Sequence, residues 1–303
     1  MIFFEHVSKF ILSDISVHIP QGAAVGLIGP SGCGKTTFLK LVCGLLRPTE
    51  GCVHTMKLIP DRNRRKLGNV TGVFFADVPF FQETDTVESN FGDIKIFRRI
   101  EEAVFDREYA ALADRLDFGS FAKEPVRQLS LGQRRRAELG AVLLARPRLL
   151  LLDEVTEGLD QTAKDSLREL LLQRQGEGTT LVISSHNMEE ISALCDRIVL
   201  LDHGTLRYYG DRELLLKHFA PVEEMEISFS GKLPDLEDLP IARYALRQNK
   251  LKLTYNSNYV TSAELLGHIL AQTTITAVTT RKSGLAEAIR ESQLKQKNPH
   301  NDT

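Results

Sequence analysis

The chain has 303 residues, a formal net charge of −2 and a hydrophobic fraction of 42%. That length allows one large domain with a small one beside it, or two domains. The near-neutral balance argues against a dedicated nucleic-acid binder, so no nucleic-acid partner is expected, and no apolar run reaches the ~18–20 residues needed to cross a bilayer.

The four cysteines, Cys33, Cys43, Cys52 and Cys195, lie far apart without metal-ligand spacing, which reads as free thiols in a reducing compartment. No basic start leads into a short apolar core, so no secretory signal is expected. If the protein acts at a membrane, another chain must do the spanning.

In chain order, "FFEHVSKF" and "LSDISVHIP" alternate apolar and polar residues and predict a short antiparallel β region. Residues 23–29 read as a buried strand, 34–46 as a helix and 72–75 as a strand. Residues 87–117 read as mostly helical. A helix over 134–145 precedes a strand at 149–153. Then come a helix at 162–175, a strand at 179–185, a helix at 188–195 and a hairpin over 197–210. Alternating strands and helices imply a mainly parallel sheet with its chemistry at the carboxyl ends of the strands. The helical stretch from about 84 to 145 interrupts that alternation and reads as an insert. Composition shifts near 219–223. After it, "EEMEISFSG", "KLKLTYN", "AELLGHILAQ", "ITAVTTRK" and "GLAEAIRES" suggest a small α+β module over 220–290, and 291–303 reads as a disordered tail.

"GPSGCGKTT" (29–37) fits the phosphate loop G-x-x-x-x-G-K-[ST] and sits between a predicted strand and a predicted helix. Gly29, Gly32 and Gly34 let the backbone turn its N–H groups inward, with Pro30, Ser31, Cys33 and Thr37 completing the loop. Lys35 can reach the β- and γ-phosphates, and Thr36 can ligate Mg²⁺. No N-K-x-D guanine motif occurs, which favours ATP. "LLLLDE" delivers Asp153 to the sheet edge, where it can hold Mg²⁺, and leaves Glu154 to orient and deprotonate the attacking water. In "LSLGQRRRAEL" (129–139), Ser130 can cap a helix beginning near Gln133, with Gly132 keeping the approach open. That second anion site is expected to serve another copy packed head to tail. Arg134, Arg135 and Arg136 read as surface and packing residues.

The order "GPSGCGKTT", "LSLGQ", "LLLLDE", "GLD", "SSH" resembles the nucleotide-binding subunit of an ATP-binding cassette (ABC) transporter, over about residues 1–215. The resemblance implies an α/β P-loop NTPase cassette: a parallel-sheet core, an antiparallel β subdomain and an α-helical insert, over 1–219. It implies two cassettes sandwiching two ATP with Mg²⁺. It also implies that Phe10 stacks on adenine, that Asp160 lies in the loop touching the partner cassette, and that His186 bridges γ-phosphate and base. Leu131 stands where the family's signature has glycine, and Val155 where proline usually follows the acids. A glutamine contacting Mg²⁺ and the membrane partner is expected after the strand at 72–75. Asp77 occupies that place, with Gln82 five residues on as the alternative. Val78, Phe80 and Phe81 either dock a coupling helix of the permease or belong to the insert's core.

The resemblance is strongest to stand-alone ATPase subunits of bacterial exporter-type systems. It implies a cytoplasmic, peripheral protein on a separate polytopic permease, paired with itself or a paralogue. Two other readings remain open: a soluble ABC ATPase of the translation or DNA-repair kind, and a non-hydrolysing nucleotide sensor.

Overall fold

A computed structural model describes residues 1–219, 221–236 and 239–282, together with 284, 285 and 287. Most of "GLAEAIRES" and all of the expected tail lie outside the described residues. The chain divides into two compact units, Met1–Gly210 and Asp211–Thr303.

The first unit opens with β1 (Ile2–Lys9), β2 (Leu12–Ile19) and β3 (Ala24–Ile28), followed by α1 (Lys35–Val42) and β4 (Glu50–Thr55). Next come α2 (Arg64–Gly68), β5 (Thr71–Phe75), α3 (Val87–Arg98), α4 (Glu102–Arg115) and α5 (Leu131–Leu144). The run continues with β6 (Leu149–Asp153), α6 (Gln161–Gly176), β7 (Thr180–Ser184), α7 (Met188–Leu194), β8 (Arg197–Asp202) and β9 (Thr205–Asp211).

The central sheet has the order β5-β6-β7-β3-β8-β9, and β5, β6, β7, β3 and β8 run parallel. Every residue of β3, β6 and β7 is buried, as expected of parallel strands covered on both faces. A smaller antiparallel sheet, β2-β1-β4, carries the alternating pattern read at the start of the chain. Its apolar face shares one core with α1 and the central sheet, where Phe4 stacks on Phe38 with ring centroids 4.4 Å apart. The expected parallel core with an antiparallel subdomain is therefore present. Strand β4 and helix α2 escaped the sequence reading, because "EGCVHT" and "RRKLG" are short and mostly polar.

The helical insert has its own aromatic core. Phe91 and Phe118 are fully buried, 5.1 Å apart, and Phe81 packs on Phe91 at 5.9 Å. Phe81 therefore belongs to the insert, whereas Val78 is 47% exposed. The stretch read as one helical run splits into α3 and α4 because Arg99 takes a left-handed conformation, φ 52°, and caps α3. Side-chain contacts anchor the insert to α6. Arg174 Nη2 donates to Glu108 Oε2 at 2.7 Å, both side chains being buried, and Arg115 Nη1 donates to Gln173 at 2.7 Å.

The second unit contains α8 (Arg212–Phe219), then β10 (Val222–Ser230), β11 (Ile241–Arg247), β12 (Lys250–Asn256), α9 (Ser262–Leu270) and β13 (Thr274–Lys282). Its antiparallel sheet, β11-β12-β10-β13, encloses a separate core around Met225, Ile227, Leu253, Tyr255, Leu265 and Ile269. Thr261 and Glu264 form a capping box that starts α9.

Removing Arg174 leaves the buried Glu108 with only its longer contacts to Arg107 (3.5 Å) and Arg146 (3.6 Å), so Arg174→Ala should lower unfolding stability by about 1–3 kcal/mol, read from urea midpoints. Nearby, hydrogen bonds from Gln173, Arg146 and Arg174 hold the Glu177 carboxyl down at about 2. A depressed carboxylate stabilises the fold above its ordinary pKa and loses that contribution as pH falls through the folded value. The midpoint difference between the wild type and Glu177→Gln should therefore be largest near neutrality and shrink between about pH 4.5 and 2.

Candidate nucleotide-binding site

The parallel register builds the site. Leu27 of β3 pairs with Ser184 of β7, Ser184 with Asp153 of β6, and Asp153 with Phe75 of β5. This row lies at the carboxyl edge of the sheet, and the chain leaves β3 there to form residues 29–34. The loop requires glycine. Gly29 has φ 151°, and a Cβ on it would lie 2.1 Å from the Leu201 carbonyl oxygen. Gly34 has φ 110° and caps α1, with the Leu12 side chain 2.5 Å from where its Cβ would be. Pro30, Ser31 and Gly32 are exposed on the rim, whereas Cys33 is buried, and that burial pushes its thiol pKa up.

Lys35 is only 7% exposed, and its ammonium donates to the carbonyls of Gly29 (2.9 Å) and Pro30 (3.3 Å). Thr36 Oγ1 donates to Asp153 Oδ2 at 2.6 Å, and Ser184 Oγ donates to Asp153 Oδ1. Thr37 lies half-buried behind them on α1. Glu154 follows with φ 50°, its N–H donating to the carbonyl oxygen of Ser184 at 3.1 Å and to its Oγ at 3.2 Å. Its carboxylate meets His186. The His186 N–H donates to Oε2 at 3.2 Å, and Nε2 stands 3.2 Å from Oε1. That last contact lacks hydrogen-bond geometry, so Oε1 is buried and without a hydrogen-bond partner. Ser184 is a site residue that the motifs did not point out. The register of β7 beside β6 is the signal that reveals it.

The remaining expected residues divide into two groups. Phe10 is 76% exposed on the turn between β1 and β2, with Lys9 Nζ 4.8 Å from its ring centre, and is free to present a face. Ser130 caps α5 in a reciprocal box: Ser130 Oγ accepts from Gln133 N–H at 3.2 Å, and Gln133 Oε1 accepts from Ser130 N–H at 2.9 Å. The helix starts at Leu131, two residues before the expected point, because that box recruits Gln133 as its third helical residue. Gly132 lies against the Gly158 carbonyl, 3.1 Å from where its Cβ would be.

Asp160 caps α6 through Ala163 N–H at 2.9 Å and is paired with Arg136. Those two interactions, the Ala163 bond first, hold its carboxyl below the usual range. Arg135 donates to the Ala76 carbonyl at 2.7 Å, and Arg134 to Glu138 at 2.9 Å and Glu83 at 3.0 Å. All three arginines are thus engaged within the protein, in keeping with a packing role.

The structure does not bring Asp77 to Thr36 or Asp153. Its carboxylate is 3.7 Å from Lys40, more than a turn down α1 from Thr36. Gln82 is exposed, its backbone held by Asn90 at both N–H (2.8 Å) and carbonyl (3.2 Å).

Among the described residues no group of three or more His, Cys, Asp or Glu side chains could hold a metal by itself. Magnesium is commonly bound by one or two protein oxygens together with phosphates and water, and the Thr36–Asp153 pair fits that kind of donor set. No helix among the described residues is long and apolar enough to cross a membrane.

Comparison with known proteins places these features in context. Residues 12–157 match a family model described as ABC transporter. An uncharacterised ABC transporter ATP-binding protein, YdbJ of Bacillus subtilis, is 30% identical over 66% of this chain, which spans 64% of that relative's length. The lantibiotic transport ATP-binding protein SrtF of Streptococcus pyogenes is 30% identical over 74% of this chain and 92% of its own. A Nod factor export ATP-binding protein of Sinorhizobium fredii is 33% identical over 79% of this chain and 69% of its own. A dimeric ATP-binding cassette in a post-hydrolysis state with ADP and Pi superposes with a TM-score of 0.63, at 23% identity, covering 70% of this chain and 98% of that one.

Because the Lys35 ammonium is held only by loop carbonyls, it can turn to a phosphate without breaking an ion pair. Lys35→Ala should weaken ATP binding about 10- to 100-fold, the value of a charge-assisted contact, in a fluorescent-nucleotide titration.

Proposed function

This chain belongs to the ABC transporter family of ATPases, and on that premise we propose that it binds and hydrolyses ATP to power a separate membrane permease. The observation that carries the chemical part is the Glu154 carboxylate, with Oε2 fixed by the His186 backbone N–H and Oε1 3.2 Å from His186 Nε2. A carboxylate held in this way, one residue beyond Asp153, is suited to accept a proton from the attacking water. His186 Nε2, beside it, is placed to steady the γ-phosphate against that base.

Lys35 and the backbone of residues 29–37 grip the phosphates, and Phe10 stacks on the adenine. Thr36 and Asp153 would hold magnesium, which when bound neutralises phosphate charge. Asp77 would join them only by releasing Lys40, an exposed pair worth less than about 1 kcal/mol. A second cassette, identical or paralogous, supplies Ser130, Gly132 and Gln133 to the γ-phosphate across a head-to-tail dimer. Asp160 lies in the loop that meets this partner.

The permease side rests on a groove of about 270 Å³ in the first unit. Its lining includes Cys43, Leu45, Leu67, Phe75, Val78 and Phe80. Leu45 and Val78 are about half exposed at its mouth, which suits an apolar helix from a membrane partner. On this reading the protein sits at the cytoplasmic face of the membrane through that partner. The outward direction rests on likeness to exporter-type subunits. The accessory module over 220–290 has a regulatory or dimer-stabilising role.

Two measurements test the site. Glu154→Gln should bind ATP normally, lose at least about 100-fold in turnover, and accumulate as an ATP-bound dimer in light scattering with its permease supplied. Hydrolysis at the wild-type rate would remove Glu154 as the base. Phe10→Ala should raise the ATP dissociation constant about 5- to 100-fold, as expected for loss of one base–aromatic stack.

A further inference from the structure

The side chains of Glu154 and His186 face each other, yet they are carried by two separate loops, one after β6 and one after β7. Something must fix the spacing between those loops. Glu190, in the first turn of α7, makes the connection. Its Oε2 accepts from Thr156 Oγ1 at 2.6 Å and from Ser185 Oγ at 3.0 Å. Thr156 stands two residues after Glu154, and Ser185 directly precedes His186. Its Oε1 faces Asn187 Nδ2 at 3.4 Å and Lys164 Nζ, on α6, at 3.4 Å.

The side chain is 17% exposed, so these contacts are partly shielded from water. Ser185 is itself buried and also accepts the Asn187 N–H at 3.0 Å, which ties the residues on both sides of His186 together. Glu154 needs such support, because a non-glycine residue at φ 50° holds that conformation only when its surroundings impose it.

We propose that Glu190 is a positioning residue for ATP hydrolysis: its carboxylate clamps the Glu154 loop to the His186 loop and so holds the base and its histidine at working distance. The inference rests on the assignment of Glu154 and His186 made above. Glu190 touches neither the nucleotide loop nor Thr36. Its loss should therefore reach turnover and spare ATP binding. Outer-shell partners of this kind commonly change activity about 10- to 100-fold.

The test compares steady-state ATPase kinetics of the full chain, with its permease supplied, for the wild type, Glu190→Ala and Glu190→Gln. Glu190→Ala should lower kcat about 10- to 100-fold with KM for ATP within about threefold. Glu190→Gln keeps one carbonyl oxygen for Thr156 and Ser185, so it should recover most of that loss. An alanine variant with kcat within about threefold of the wild type overturns the proposal. A parallel loss of ATP binding, or a glutamine variant as impaired as alanine, also overturns it, since either marks a general folding role. If Glu190→Ala does not fold, Ser185→Ala decides, because it removes one donor and leaves the carboxylate. It should lower kcat several-fold at constant KM, and an unchanged kcat overturns the proposal. Glu154→Gln is measured alongside. Turnover persisting there would refute the base assignment itself, an outcome distinct from any result at position 190.

Discussion

The hydrogen bond from Thr36 to Asp153 joins the first turn of α1 to the last residue of β6, 117 positions apart in sequence. It sets the character of the site. Asp153 is 5% exposed, and a buried carboxylate needs partners for both oxygens. Thr36 and Ser184 supply them, but both are neutral hydroxyls. They satisfy the lone pairs and leave the negative charge uncompensated. Lys35 is the mirror case: its ammonium is satisfied by two neutral carbonyls, and among the described residues no carboxylate lies within ion-pair distance of it. A cationic group at the start of α1 and an anionic one at the end of β6 are thus each hydrogen-bonded, and neither has an ion-pair partner among the described residues. A ligand carrying both an anionic phosphate and a divalent cation complements that arrangement as a simple anion would not.

On the proposed reading, the other half of the chemistry comes from the start of α5 in a second cassette. The Ser130–Gln133 box organises the start of α5, in the helical insert, without consuming all of its free N–H groups. Arg136 links that helix to Asp160 at the start of α6 and to Asp117 at 2.8 Å. The insert is also fixed to α6 by the buried Arg174–Glu108 pair. The helix start and the loop ending at Asp160 are therefore one supported surface.

Much of this was legible in the sequence because the strongest signals combine local chemistry with local conformation. "GPSGCGKTT" needs glycine at the positions whose φ is positive, and "LLLLDE" ends an apolar strand in acids at a sheet edge. The parallel core, the antiparallel sheet at the start and the helical insert followed from hydrophobic period. What stayed hidden was set by pairing between distant segments. β11, "IARYALR", gives little alternation because it is an exposed edge strand, so its partner β12 was readable and it was not. Ser184 and Glu190 look ordinary in the chain. Only the register of β7 beside β6, and the return of α7 toward Thr156, give them partners. Asp77 shows the converse. Counting from the strand puts it among the expected magnesium ligands, yet an exposed turn leaves its carboxylate to Lys40.

The departure at Leu131 follows the same local logic. In the family's signature this position is glycine, which could mean that the backbone there demands a conformation closed to other residues. Here it does not. Leu131 is the first residue of α5 and is absent from the residues with positive φ, so a side chain costs no backbone strain. Leucine is favoured over glycine in a helix by about 0.5–1 kcal/mol, and it restricts the unfolded chain besides. Its side chain is 59% exposed and reaches Gly158, whose Cβ would lie 3.1 Å from Leu131 Cδ2. The glycine that does matter is Gly132, which lies against the Gly158 carbonyl and is retained. Leucine thus places an apolar contact between the start of α5 and the loop ending at Asp160. It joins two stretches expected to face the same partner, while the Ser130 hydroxyl and the helix N-terminus stay where they are.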